Sequence, residues 1–120
     1  MSVSTAFERV PLLTTVTTAA NTGTSRPVNI QGRNNVAIFF ASVGTTSGGT
    51  LVIEEADYDP NGPVYAGTWS QIGPTINAND FTGTKQQAVH VSPNTYMFVR
   101  VRVASDITGG GTVTVVLKMA

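Results

Sequence analysis

The chain contains no cysteine, one histidine (His90) and only 12% charged residues, about half the ~25% usual for a globular domain. Without cysteine there is no disulfide, which fits folding in a reducing cytoplasm. A structural zinc site or an activated nucleophile needs several His or Cys ligands, or an oriented base. One histidine supplies neither, so no metal or cofactor is expected. No apolar run approaches the ~20 residues that cross a bilayer. The opening Met-Ser-Val-Ser-Thr-Ala-Phe-Glu-Arg lacks a basic segment followed by an apolar core, so neither a membrane nor a secretory route is expected. Seven Lys or Arg balance seven Asp or Glu, scattered from Arg9 to Lys118. Phosphate binding needs a basic excess, and this balance argues against nucleic acid. No segment shows a 3.6-residue apolar period with caps, so little helix is expected.

What the chain does have is period-2 alternation rich in Val and Thr. Met97, Val99, Val101 and Val103 share one parity and Phe98, Arg100 and Arg102 the other; beyond Gly109-Gly-Gly111, Val113, Val115 and Leu117 oppose Thr112, Thr114 and Lys118. These two runs read as an antiparallel hairpin. Further strands are expected over 10–19 (Val10, Leu12 and Val16 inward), 26–32, 35–43, 51–56, 69–72 and 85–91, eight in all. The 35–43 run is apolar on both parities, as in a central strand or one whose outer face is covered. Turns at 21–25, 44–49, 92–95 and 106–111 carry Gly, Pro, Asn and Ser. The expected core includes Ile38, Phe40, Leu51, Ile53, Val99, Val101, Val115 and Leu117. Residues 1–120 are expected to form one all-β domain, an antiparallel β-sandwich for which an eight-stranded jelly roll is the natural arrangement and an up-and-down barrel the competitor.

Asp57 to Gly83 breaks the regularity with three prolines and four glycines, and reads as a long irregular segment of the kind that often carries function. Asp57-Tyr-Asp-Pro-Asn-Gly62 opens like a calcium loop, but the twelfth position is Thr68 rather than Glu, which favours a plain turn. Glu54 and Glu55 are adjacent, so on a strand they face opposite ways and cannot form an acid/base pair with each other. Nothing points to an enzyme. Tyr58, Tyr65 and Trp69 suit a sugar-stacking platform, an inward-folded plug at one end of the sheets, or protein-contact anchors; Phe98, Arg100 and Arg102 make a second candidate contact face.

The Thr-rich opening strand, the run Tyr96-Met-Phe-Val-Arg-Val-Arg-Val103 followed by Asp106-Ile-Thr-Gly-Gly-Gly-Thr-Val-Thr-Val115, and the lack of cysteine resemble the small β-sandwich virion proteins of tailed bacteriophages, most of all their capsid decoration or cement proteins. The likeness is clearest over 95–117 and carries no functional residue with it. It implies a structural virion protein, made in the host cytoplasm, that stabilises a phage head by non-covalent contact with the major capsid protein or another virion protein. The alternative is a tail or surface module recognising a host glycan or receptor. Scarce charge together with open sheet edges adds an expectation of homo-oligomerisation.

Overall fold

The computed structural model describes residues 8–18, 23–56, 68–83, 85–92 and 98–120. Eight strands follow in order: β1 (Glu8–Val16), β2 (Val28–Asn29), β3 (Val36–Val43), β4 (Gly48–Ala56), β5 (Ser70–Asn77), β6 (Gln86–Val91), β7 (Phe98–Thr108) and β8 (Thr112–Met119). They build two antiparallel four-stranded sheets, β1-β8-β3-β6 and β2-β7-β4-β5, packed as a β-sandwich. The ladders join β1 to β8, β2 to β7, β3 to β6 and β4 to β5. The chain therefore runs as one long antiparallel ribbon whose successive pairs alternate between the sheets.

Parity explains the core. All eight residues expected inside, from Ile38 to Leu117, are completely buried. They line the space between the sheets with Val103, Val113 and Ile76, each large aliphatic side chain contributing about 1.5–3 kcal/mol. Phe81, on a short 3₁₀ turn (Ala78–Phe81), plugs one end with its ring 6.0 Å from that of Phe40. The Thr46 hydroxyl anchors this turn by donating to the Ala78 carbonyl at 2.8 Å.

Three expectations are corrected. First, β7 and β8 are not a hairpin: β7 pairs with β2 and β4, and β8 with β1 and β3. The glycine turn carries the chain from one sheet to the other, alongside the similar crossing between β3 and β4. Ser47 N–H donates to the Thr108 carbonyl and Gly111 N–H to the Thr45 carbonyl, at 2.8 and 2.7 Å. Gly109 has φ +105°, and a Cβ on Gly111 would stand 2.5 Å from the Thr45 carbonyl oxygen, so these glycines serve two arches in contact. Second, the described part of the 57–83 segment, 68–83, is largely regular, because β5 runs through Gly73 and Pro74. An edge strand tolerates both where the ladder breaks register, and the β4–β5 ladder does so between Leu51 and Ile53. Third, β1 breaks register between Pro11 and Leu13, which buries Leu13 fully, while Leu12 and Val16 are only partly buried against the core.

Candidate interaction faces

Each sheet has one outward face, and the two differ in chemistry. On the β2-β7-β4-β5 sheet, register places Glu54 opposite Arg100 on β7 and Gln71 on β5, Val52 opposite Arg102, and Ala56 opposite Phe98. Arg100 Nε donates to Glu54 Oε1 at 2.9 Å; Arg102 donates from Nε to Oε1 at 3.3 Å and from Nη2 to Oε2 at 3.2 Å. The guanidinium of Arg100 also lies 4.2 Å from the centre of the Trp69 ring, a cation–π contact. Glu54 is thereby buried with both oxygens bonded. Burial pushes its carboxyl up, and the hydrogen bonds and charges of Arg102 and Arg100 more than offset this, so it sits below the usual carboxylate range.

Trp69 and the Arg100/Arg102 pair, expected on two separate faces, thus come together on one, around an acid that the reading of separate strands had not joined to them. The signal was present: two arginines on one strand parity need a counter-charge, and Glu54 is the outward acid of the apolar strand 51–56. Phe98 shares the arginines' side but is buried beside Ala56 and Asn29, so it is not an accessible contact. Tyr58 and Tyr65, with Asp57, Asp59 and Asn61 of the calcium-like turn, lie outside the described residues. Among the described residues no cluster of acids or histidine has metal-binding geometry.

The outer face of the β1-β8-β3-β6 sheet is organised differently. The outward residues of β3 are Ala37, Phe39, Ala41 and Val43, a line of apolar side chains down the sheet. Register adds a second line across it, Pro11–Val116–Phe39–Ala88, crossing the first at Phe39. Val43 is 60% exposed, the largest exposure of any big hydrophobic among the described residues. The neighbouring cross-row reads Arg9–Lys118–Ala37–His90. Lys118 Nζ lies 4.7 Å over the Phe39 ring, and a hollow of about 280 Å³ opens between Asn35, Ala37, Phe39, His90 and Lys118. No carboxylate stands among the described outward residues of this sheet. Arg9 and Lys118 are directly opposite, a like-charge pair that costs the isolated fold a few tenths of a kcal/mol. The apolar 35–43 run announced this face in the sequence; Phe39 itself was not singled out.

No protein-family model matches the chain, and no curated protein matches its sequence.

Proposed function

We propose that this chain is a non-catalytic structural protein of a virion, a decoration or cement protein that docks on the major capsid protein through the outer face of the β1-β8-β3-β6 sheet. The observation that carries this reading is the contrast in electrostatic closure. In the Arg100/Arg102 cluster both guanidinium groups bond to an acid of the same fold, Glu54. The Phe39 face combines crossed apolar lines with a basic row lacking any acidic counterpart. A partner surface with an apolar patch rimmed by carboxylates complements it, since interfaces join a desolvated apolar centre to a polar rim.

The strand order supports the finer reading of the sandwich as a jelly roll, because a rolled antiparallel ribbon yields this alternation of pairs. Resemblance of the 95–117 region to phage decoration proteins supports the choice of a shell as partner, and many weak contacts on a symmetric lattice act together. The sugar-platform alternative loses one stacking surface, since a face of Trp69 is already taken by Arg100.

The test is co-sedimentation of purified protein with shells from the virus that encodes it. Parent protein is expected to pellet with the shells and Phe39→Glu to remain in the supernatant, both with unchanged circular dichroism. A parent that never pellets removes the decoration reading, and a Phe39→Glu variant that pellets like the parent removes this face from it.

A further inference from the structure

A sandwich of two sheets has four edge strands, here β1, β6, β2 and β5. Unpaired strand edges invite association unless charge, proline, bulges or shortness blunts them. Edge β1 carries Glu8, Arg9 and Pro11 and breaks register twice. Edge β2 is two residues long. Edge β5 contains Gly73 and Pro74 and lies beside a register break. Edge β6, Gln-Gln-Ala-Val-His-Val, has none of these devices: it keeps unbroken register with β3 from Val91 to Gln86, and among the described residues no strand pairs with its other side.

Its hydrogen-bonding polarity follows from the ladder next to it. Asn35 and Ala120 exchange N–H···O bonds at 3.2 and 2.9 Å. Because bonding sides alternate along an antiparallel strand, Ala37, Phe39 and Ala41 bond to β8, and Val36, Ile38 and Phe40 bond to β6. On β6 the groups of Gln87, Val89 and Val91 are therefore turned to β3. The N–H and C=O groups of Gln86, Ala88 and His90 face the open edge, and all three residues are exposed.

We infer that β6 is a self-pairing edge: a second copy of this chain adds antiparallel to it across a two-fold axis at Ala88. That register sets Ala88 against Ala88 and Gln86 against His90, uses all three outward-facing residues of each copy, and keeps both cores on the same side of one eight-stranded sheet. Self-pairing meets no like charges, because the nearest charged residue, Lys85, precedes the strand and falls opposite Val91. The apolar cross-row Pro11–Val116–Phe39–Ala88 then continues through the second Ala88 and doubles in length. The pairing is a property of the isolated protein and stands or falls separately from attachment to a shell.

Sedimentation equilibrium over a micromolar concentration series tests it. The parent is expected to dimerise. Ala88→Pro deletes an edge-facing N–H that the β3 ladder does not use, a position where an edge strand accepts proline, and should weaken dimerisation at least tenfold. Ala88→Lys sets two lysines against each other at the axis and should do the same. Mixing Ala88→Lys with Ala88→Glu should restore a dimer of one copy of each, which also holds the test together should the proline variant fail to fold. A parent that stays monomeric throughout the series overturns the inference, as does a dimer that both lysine and proline variants leave intact.

Discussion

The two outer faces are built on the same parity rule and end in opposite states. On the β2-β7-β4-β5 sheet, polar groups turned outward meet one another: Glu54 accepts from Arg100 and Arg102, and Arg100 lies over Trp69. On the β1-β8-β3-β6 sheet, the outward positions of β3 are all apolar, and the cations beside them, Arg9 and Lys118, face each other without an acid. Charged residues in an outward pattern are thus poor markers of a contact surface when they close on themselves. Mismatched ones beside apolar side chains are better, because the fold alone gains little from the arrangement.

The largest expected effect tests whether the first face is internal. Replacing Arg100 and Arg102 together by Ala leaves Glu54 buried without a cation, which should cost about 3–5 kcal/mol in denaturant unfolding; adding Glu54→Leu should recover most of the loss. Recovery failing would mean that the arginines matter to something other than Glu54.

A smaller effect comes from Glu54→Gln, expected to cost about 1–3 kcal/mol near neutral pH. Its pH dependence follows from the lowered carboxyl. A group with its folded pKa below its unfolded value, ordinarily about 4.3 for Glu, contributes stability that is fully present above the unfolded value and is lost as pH falls through the folded one. The parent should therefore lose stability on acidification below about pH 4–5 more steeply than Glu54→Gln. Parallel acid profiles for the two proteins would contradict the pairing.

On the second face the expected stability change is smaller still. Lys118→Glu forfeits the contact over Phe39, worth about 0.5–1 kcal/mol, yet relieves repulsion from Arg9, so the thermal midpoint should scarcely move while shell binding falls. A large drop in the midpoint would show that this face, too, is internal. Least of all is expected from Arg33→Ala, which breaks a 2.8 Å ion pair with the exposed Glu8; surface pairs of this kind are worth about 0.2–1 kcal/mol.

Much of this was legible in the sequence for a physical reason: side-chain direction along a strand depends on local parity, so the eight strands and the core residues of β3, β4, β7 and β8 follow from alternation. Pairing between strands is not local. A glycine turn reverses the chain, but whether the flanking strands stay in one sheet depends on distant partners, and β8 finds β1 and β3 instead of β7. Likewise Gly73-Pro74 reads as a loop unless the strand is known to lie at an edge. The Glu54 cluster was half legible, since strand parity turns the three charges outward and only register brings them to 2.9–3.3 Å.

The most direct test of the proposed docking is electron microscopy of phage particles that carry the protein, at a resolution that orients the sandwich. The account predicts the protein in many copies on the head, with Phe39 and Lys118 against the major capsid protein and Trp69 turned away. Density confined to a tail, or a sandwich turned with the Trp69 side toward the shell, would contradict it.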